Sequence, residues 1–271
     1  MHTLVSVDGE IVPAERTFVP AVSPATLYGK GVFTTLAIYD RVPFLWEKHW
    51  RRLSENAVSL GIDHTAHSGD QTRLYLDDLT QRNNVGEGRA RITLFDQSTS
   101  GFWNGQNGRK STLLIMTADR RPLEHRPRIT MSSHLINSRS PLAGVKSCNY
   151  LEHLLAYEDA KGRGFDEAVR LNERGHITSA CMANVFWLKD GKLFTPLLAT
   201  GCLAGTTREF IREDLECEEV EAGRSDIEAA DAIFLTSAGI GVVAAAEFEG
   251  RKLHNVGHPI LDLLQKPQSG K

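Results

Sequence analysis

The order of apolar and polar residues along the chain predicts a mixture of strands and helices. Two short apolar runs flank the Asp8-Gly9 pair, a turn signal that predicts an N-terminal hairpin over residues 4–13. From residue 47 to Gly61 the apolar residues recur at helical spacing, which predicts a helix with one buried face. The same reasoning predicts these further elements: strands at 32–44 with a turn near 40–41, a helix at 70–82, strands at 89–95, 112–117 and 128–133, a helix at 150–161, strands at 167–171 and 176–179, a hairpin at 185–195, a helix from Thr206, and strands at 232–236 and 242–248. This mixture predicts the α/β class (α+β mixed).

Two polar stretches interrupt the pattern. Residues 96–110 are rich in Gly, Ser, Asn and Gln, which predicts an exposed loop. Residues 119–127 include Pro122 and Pro127 among charged side chains, a composition typical of a connector between compact units. We therefore predict a smaller N-terminal α/β domain at 1–118, a linker at 119–127 and a larger C-terminal, cofactor-binding domain at 128–271.

Charge and composition exclude several classes of protein. The 271 residues carry 31 Lys and Arg against 34 Asp and Glu, a net charge of −3 that does not favour binding to nucleic acid or to an anionic membrane. No apolar stretch approaches the length of a membrane span. The four cysteines lack the close pairs of a zinc site and the ten histidines lack metal-ligand spacing, so we expect reduced thiols and no metal. These features predict a cytoplasmic protein without a nucleic-acid or membrane partner.

One lysine has an unusual sequence environment. Lys146 lies in Ala-Gly-Val-Lys-Ser-Cys-Asn-Tyr-Leu, among small and apolar residues just before the helix predicted at 150–161. Desolvation lowers the pKa of a lysine, and the neutral amine is the nucleophile that imine-forming catalysis requires. The local sequence leaves an alternative open, in which Lys146 extends its stem along a helix start and keeps its amine in water.

A set of motifs in a fixed order extends this observation. The motifs are Tyr28-Gly-Lys-Gly-Val-Phe33-Thr-Thr, Pro43-Phe-Leu-x-x-x-His49-x-x-Arg52-Leu53, Lys146-Ser-Cys-Asn149-Tyr150-Leu151, Glu167-Ala-Val-Arg-Leu-Asn172, Gly175-His-Ile-Thr178 and Ala183-Asn184-Val-Phe186. Through them most of the chain resembles the class IV aminotransferases, which are pyridoxal-phosphate enzymes of fold type IV. The resemblance implies a two-domain fold similar to D-amino-acid aminotransferase, pyridoxal 5'-phosphate as the cofactor, a small substrate that bears an amino group, and a homodimer.

The resemblance also implies roles for individual residues. Lys146 matches the lysine that forms the Schiff base, and Arg52 matches the arginine that binds the cofactor phosphate. Backbone amides at a helix start suit a phosphate, and Thr206 and Thr207 match the family residues that supply them. The resemblance also implies that Asn184 and Ser237 bind the cofactor. Ser237 replaces a family threonine that aligns with Ala238. Tyr28 and Phe33 match residues that line the substrate pocket.

A strand arginine is a candidate for binding a substrate carboxylate. Arg91 alternates with Ala90 and Ile92 on a strand placed like the one that bears the family's pocket arginine. Two alternatives remain open. In the first, Arg91 faces solvent and forms an ion pair with an acidic residue. In the second, Arg89, which lies on the same face of the strand, binds the substrate carboxylate instead.

One position departs from the family pattern. Ser179 stands where most members carry a glutamate that keeps the pyridine nitrogen of the cofactor protonated. A hydroxyl only hydrogen-bonds that nitrogen, and the resulting weaker electron sink disfavours transamination more than elimination. Within the family the chain also resembles the aminodeoxychorismate lyases, which release pyruvate and p-aminobenzoate on the route to folate. We therefore predict elimination, with two alternatives: a transaminase for branched-chain amino acids, D-amino acids or amines, and a cofactor-binding scaffold without transaminase activity.

Overall fold

The structure is a computed structural model that describes residues 1–98, 111–120, 125–254 and 256–263. The chain divides into two compact units, one formed by Met1–Arg121 with Val145–Asn149 and the other by Pro122–Gly144 with Tyr150–Lys271. Most of the loop predicted at 96–110 and part of the linker predicted at 119–127 lie outside the described residues. Within the described ranges, no helix combines the length and the apolar character that a membrane span needs.

The first unit is built on an antiparallel sheet. Its elements are β1 (Leu4–Val7), β2 (Glu10–Pro13), α1 (Pro24–Tyr28), β3 (Gly31–Tyr39), β4 (Val42–Pro43), α2 (Trp46–Ser59), α3 (Gly69–Arg82), β5 (Gly88–Asp96) and β6 (Ser111–Asp119). The strands pair in the order β2-β1-β6-β5-β3-β4. Asp40 and Arg41 have φ angles of 48° and 68°, the left-handed conformation that a tight hairpin requires, and they close β3 onto β4 at the predicted turn.

Helices α2 and α3 cover one face of this sheet. Leu53 of α2 and Leu76 of α3 are fully buried and share one apolar cluster with Ile92 of β5. Burying side chains of this size contributes about 1.5–3 kcal/mol each, which holds the helices on the sheet. Because neighbouring strand residues point to opposite faces, Phe33 and Arg91 lie on the face away from this cluster.

Within its described residues the second unit contains two five-stranded sheets. Its elements are β7 (Arg128–Met131), α4 (Leu151–Gly162), β8 (Glu167–Leu171), β9 (Ile177–Ala180), β10 (Asn184–Lys189), β11 (Lys192–Pro196), α5 (Thr206–Asp214), β12 (Glu218–Val220), α6 (Arg224–Glu228), β13 (Ala232–Ser237), β14 (Gly241–Ala244), β15 (Glu247–Phe248) and β16 (Arg251–Lys252). The sheet orders are β12-β11-β10-β13-β14 and β16-β15-β7-β8-β9. Apolar side chains of both sheets, among them Val169, Trp187 and Ile233, share one buried cluster.

The short elements are where the structure differs from the sequence prediction. The elements α1, α6, β12 and β16 have five residues or fewer, and the residue pattern did not predict them. One helical turn is too short for a period to be visible. Local capping fixes α1 instead, since the Ser23 side chain accepts a hydrogen bond from the Thr26 amide and Pro24 occupies the first turn. The strand predicted at 242–248 is divided into β14 and β15.

Candidate active site

Lys146 belongs to the first unit, on a segment that pairs with β3. The Phe33 amide donates to the Lys146 carbonyl over 2.9 Å, and the Cys148 amide donates to the Gly31 carbonyl over 2.7 Å. The Lys146 amide donates to the side-chain oxygen of Asn56 on α2 over 3.3 Å. These backbone hydrogen bonds fix the position of Lys146 on the sheet and against α2.

The amine of Lys146 has the electrostatic properties of a nucleophile. Its Nζ lies 4.5 Å from the centroid of the Phe33 ring. Burial of the amine, and then the charges of Arg52 and Arg91, lower the pKa of Lys146 to about 7. A substantial fraction of the molecules therefore carries a neutral amine at neutral pH, and this is the form that attacks a carbonyl carbon.

Buried polar residues form a row on one face of α2. His49, Arg52 and Asn56 follow one another at spacings of three and four residues, which puts them on the same side of the helix. The Arg52 Nη2 donates to Thr34 Oγ1 of β3 over 2.9 Å, and the Asn56 amide group donates to the Arg52 carbonyl over 2.7 Å. The guanidinium of Arg52 is therefore held by the sheet, and Asn56 caps the backbone carbonyl of Arg52 on the same helix.

His49 continues this row without adding a charge to it. Its Nδ1 lies 2.7 Å from Thr34 Oγ1. Burial, and then the charges of Arg52 and Lys146, lower the pKa of His49 well below its ordinary value. A neutral imidazole nitrogen can accept the Thr34 hydroxyl proton while the same hydroxyl oxygen accepts from Arg52. In this arrangement His49 and Thr34 orient the guanidinium of Arg52.

Arg91 and Lys146 contact the same aromatic ring. The guanidinium carbon of Arg91 lies 3.6 Å from the centroid of Phe33, and its Nε donates to Thr93 Oγ1 over 3.4 Å. Burial raises the pKa of the nearby Cys148 thiol, and the charge and hydrogen bond of Arg91 oppose that rise. A guanidinium stacked on a ring keeps its donors in a fixed plane, the geometry that suits a carboxylate.

The start of α5, in the second unit, has the geometry of an anion site. Gly205 is the N-cap of this helix, and Thr206 and Thr207 are its first two, buried residues. A Cβ at Gly205 would overlap the Oδ1 of Asn184, whose Nδ2 donates to the Leu203 carbonyl over 2.9 Å. Only glycine allows the backbone to approach Asn184 this closely. The amides and the dipole at a helix start favour a phosphate, so these residues fit the implied cofactor.

A buried hydroxyl lies opposite Asn184 in the same sheet. Thr236 of β13 pairs with Asn184 of β10 and is fully buried. Among the described residues its Oγ1 has no hydrogen-bond partner, which is the expected state of a group that a bound polar molecule completes. Ser237, the residue implied by the family resemblance, is half-buried and ends β13. This orphaned hydroxyl is a second observation that fits a polar ligand.

Ser179 is a buried residue of β9. It is 6% exposed and lies opposite Arg170 of β8. The preceding Thr178 is fully buried, and its hydroxyl donates to the Arg170 carbonyl over 3.0 Å. The side chain at this buried position therefore carries no negative charge.

The structure groups the predicted residues by unit. Lys146, Arg52, Arg91 and Phe33 lie together in the first unit, where Tyr28 ends α1 and is exposed. In the second unit, the start of α5 and Asn184 form one cluster, with Thr236 opposite Asn184.

Sequence reasoning gave no role to three of the contacting residues. They are Thr34, His49 and Asn56, all of them buried. The spacing of His49 and Asn56 around Arg52 could have predicted that the three side chains lie together. Polar residues at positions i, i+3 and i+7 share one face of a helix, and here that face also carries the buried Leu53. Thr34 had no such signal, since its contact with Arg52 depends on how α2 packs on β3.

Comparison with known proteins gives a family match and several relatives. Residues 31–248 match the family model for amino-transferase class IV. The chain is 29% identical over 257 residues to the aminodeoxychorismate lyase of Bacillus subtilis (strain 168), which covers 91% of this chain and 87% of that protein. It is 26% identical over 260 residues to the branched-chain-amino-acid aminotransferase of Escherichia coli (strain K12), with coverage of 90% and 84%. The crystal structure of a branched-chain aminotransferase from Thermoproteus uzoniensis with norvaline has a TM-score of 0.90 at 23% identity, and the match covers 98% of this chain and 93% of that one.

Proposed function

The chain belongs to the class IV aminotransferase family, and from this premise we propose that it is a pyridoxal-phosphate-dependent lyase that releases pyruvate and p-aminobenzoate from aminodeoxychorismate. The family resemblance and the mixed α/β fold of fold type IV, both expected from the sequence, are confirmed. The exact reaction, the site residues and the cofactor are parts of the proposal.

The residues of the first unit support the assignment of Lys146 and Arg52. When bound, pyridoxal phosphate supplies an electron-withdrawing ring next to the substrate nitrogen. Lys146 would bind the cofactor covalently through Nζ, and its pKa of about 7 suits an amine that also takes and returns a proton near neutral pH. Arg52, buried and held by Thr34, would bind the phosphate as a fixed cation.

Residues of the second unit also support the binding of the cofactor phosphate. The buried start of α5 offers oriented amides at Thr206 and Thr207. Asn184 supports this turn through its contact with Gly205. Ser237 at the end of β13 keeps the role that the family resemblance implies.

The substrate side is assigned to Arg91, Phe33 and Tyr28. Arg91 is fixed over the Phe33 ring, and both Arg91 and Lys146 face that ring, so Arg91 would hold a substrate carboxylate while Lys146 acts on the reacting carbon. Tyr28, exposed at the end of α1, would line the entrance.

Ser179 is the single observation that carries the choice of elimination. Its buried, uncharged hydroxyl replaces the family glutamate. A neutral ring stores less negative charge, so the expulsion of a leaving group is less affected than reprotonation at the cofactor carbon. We expect the wild-type protein to release pyruvate from aminodeoxychorismate without any amino acceptor, in an assay that follows pyruvate.

Ser179→Glu should shift the balance of reactions towards transamination. The introduced carboxylate should favour a protonated ring, and the ratio of transamination to elimination should rise by about tenfold or more, equivalent to about 1.4 kcal/mol of differential barrier. The ratio is measured with one substrate, as the amine form of the cofactor against released pyruvate. Ser179→Gln is the matched control, because it has the same length without the charge. A ratio that stays within about twofold in Ser179→Glu would refute the assigned role of Ser179.

Transamination is the second candidate function, favoured by the relatives named as branched-chain aminotransferases. A transaminase would stall after one half-reaction unless a 2-oxo acid accepts the amino group. An absolute requirement for such an acceptor, with no pyruvate from aminodeoxychorismate, would replace the lyase assignment with this one.

We further propose a homodimer, on the basis of exposed apolar side chains. In the second unit, α4 exposes Leu151, Leu154 and Leu155, and in the first unit Phe18 and Val22 are more than 60% exposed. Such groups of apolar residues at the surface are typical of an interface.

Leu151→Glu/Leu155→Glu should weaken the dimer, since both leucines lie on one face of α4 four residues apart. We expect the dissociation constant of the dimer to be at least about tenfold higher in sedimentation experiments. The reason is that each leucine buried in the dimer interface would contribute about 1.5–3 kcal/mol. Leu74→Glu, at an exposed leucine of α3, is the control. A monomeric wild-type protein, or an unchanged dissociation constant in the α4 variant, would contradict the proposal.

A further inference from the structure

Arg170 is a buried cation on the face of the sheet that carries Ser179. It is 1% exposed and is the direct partner of Ser179 in the antiparallel pairing of β8 with β9. Residues directly opposite each other in such a pair point to the same side of the sheet. Helix α4 packs on this side, since its Ala156 and Ala160 share a buried cluster with Ala168 of β8.

The hydrogen bonds of Arg170 are made to neutral acceptors. Its Nε donates to the His134 carbonyl over 3.0 Å and its Nη2 to the Leu135 carbonyl over 2.8 Å, while its Nη1 lies 3.4 Å from the Nδ1 of His153. That His153 nitrogen is also 3.1 Å from the Cys181 carbonyl, an acceptor that requires the nitrogen to donate. The guanidinium therefore keeps its full positive charge with partners that do not neutralise it.

Acidic groups surround Arg170 without forming an ion pair with it. Among the described residues, no carboxylate lies within ion-pair distance of its guanidinium. The charged and titratable groups that influence it are Cys181, Glu152, Tyr150 and Glu167, in addition to the imidazole of His153. The carboxylate of Glu167 accepts the backbone amides of Ala168, Cys181 and Met182, and it makes no direct contact with Arg170. Arg170 is therefore a buried cation without a direct ion-pair partner among the described residues, and the charges of Glu152 and Glu167 offset part of its positive potential.

We propose that Arg170 is a positioning residue that keeps the ring nitrogen of the cofactor unprotonated, by placing a fixed positive charge directly across the strand pair from position 179, where most family members carry a glutamate. The proposal rests on the proposed function, in which position 179 faces that nitrogen. A nearby positive charge disfavours a second one, so the loss of the glutamate and the presence of Arg170 act in the same direction. In this chain position 179 carries no carboxylate, and its cross-strand partner is a buried cation.

The pairing of Arg170 with Ser179 has a consequence for substitutions at position 179. A carboxylate introduced there would lie opposite Arg170 and form an ion pair with it. Part of its effect on the ring nitrogen would then be cancelled. Ser179→Glu should therefore protonate the ring less completely than the double variant Ser179→Glu/Arg170→Gln, and the two positions should be energetically coupled.

The test is the protonation state of the cofactor in the holoenzyme. The wild-type protein, Arg170→Gln and Arg170→Lys are each loaded with pyridoxal phosphate that carries an isotopic label at the ring nitrogen, and the nitrogen resonance is followed by NMR against pH. We expect an unprotonated nitrogen in the wild type and in Arg170→Lys, which keeps the charge. In Arg170→Gln, which keeps donors for the His134 and Leu135 carbonyls, the pKa of the nitrogen should be about one to three units higher.

Controls separate the charge of Arg170 from its structural contacts. Arg163→Gln removes an arginine that also donates to a backbone carbonyl, that of Met131, but is paired with Asp159 and partly exposed, so the nitrogen resonance should not change. The same titration in Arg170→Gln and Arg170→Lys would overturn the proposal and leave the proposed function standing. A protonated nitrogen in the wild type would overturn the proposal together with the argument from Ser179 for elimination. A wild-type protein that binds no pyridoxal phosphate would instead refute the proposed function. Should Arg170→Gln not fold, the wild-type resonance and the comparison of Ser179→Glu with Ser179→Gln still decide, since complete protonation in Ser179→Glu contradicts the ion pair.

Discussion

Lys146→Ala is expected to abolish both the covalent attachment of pyridoxal phosphate and all turnover. Only a primary amine at this position can form the bond to the cofactor, and the backbone around it is fixed by pairing with β3. The measurement is borohydride trapping followed by peptide mapping, together with the absorbance of the protein-bound cofactor. Lys146→Arg keeps a cation of similar length but supplies no nucleophilic amine, so it should be equally inactive.

The same lysine gives the reaction a defined pH dependence. Its pKa of about 7 lies far below the ordinary value for lysine, so the neutral amine becomes predominant as the pH rises through about 7. The rate of attachment to the apoprotein should therefore increase from mildly acidic to mildly basic pH and then level off. Between about pH 7 and the ordinary lysine pKa the unfolded chain binds the proton more tightly, so raising the pH through this range should stabilise the apoprotein with respect to Lys146.

The control for this experiment is another lysine of the first unit. Lys30 is partly exposed and forms an ion pair with Asp96 over 2.9 Å, so Lys30→Ala should leave trapping at Lys146 intact. Cofactor trapped on a different peptide in the wild-type protein, or normal trapping in Lys146→Ala, would remove Lys146 from the mechanism.

Arg52→Ala is expected to cause the second largest loss. A charge-assisted hydrogen bond from a buried guanidinium contributes about 1.5–3 kcal/mol, so the dissociation constant for pyridoxal phosphate should rise by about 10-fold to 150-fold. Because the charge of Arg52 lowers the pKa of Lys146, the pH midpoint for covalent attachment should also move upwards in this variant. Affinity is measured by titration of the apoprotein, and the midpoint by the pH profile of the attachment rate.

Arg51→Ala is the matched control for Arg52. Arg51 is the preceding residue on α2 and is exposed, whereas Arg52 is buried. The two variants lose the same charge from the chain, so a similar loss of affinity in both would mean that general electrostatic attraction, and not a specific contact, accounts for the effect. Unchanged affinity in Arg52→Ala would show that the phosphate is bound by other residues.

Local sequence determined many of the elements on which these residues lie. The period of apolar residues predicted α2, α3 and α4 to within about two residues of their observed ends. The alternation along β5 predicted that Arg91 points away from the buried Ile92, and the pairing of β3 with β5 agrees with it. These features depend on one helix or one strand at a time, and the solvent preference of each side chain is enough to set them.

Motif resemblance determined the family and suggested residues for the site. It implied roles for Lys146, Arg52 and Ser179 without any knowledge of distances, and these roles stay predictions. It gave no role to Arg170, because the function of an arginine within a strand cannot be assigned until its cross-strand partner is known.

Only the tertiary structure decided how the charges act on one another. The segment Val145–Asn149 follows residues of the second unit in the chain, yet it packs with the first, and this brings the amine of Lys146 within the fields of Arg52 and Arg91. The same holds for Thr34 and His49, which orient Arg52 across the contact of a strand with a helix. The pKa of a side chain and the formation of a hydrogen bond depend on burial and on separations of a few ångströms. Strand register and helix packing set these separations between residues that are far apart in the chain. The local pattern of the sequence therefore does not predict them.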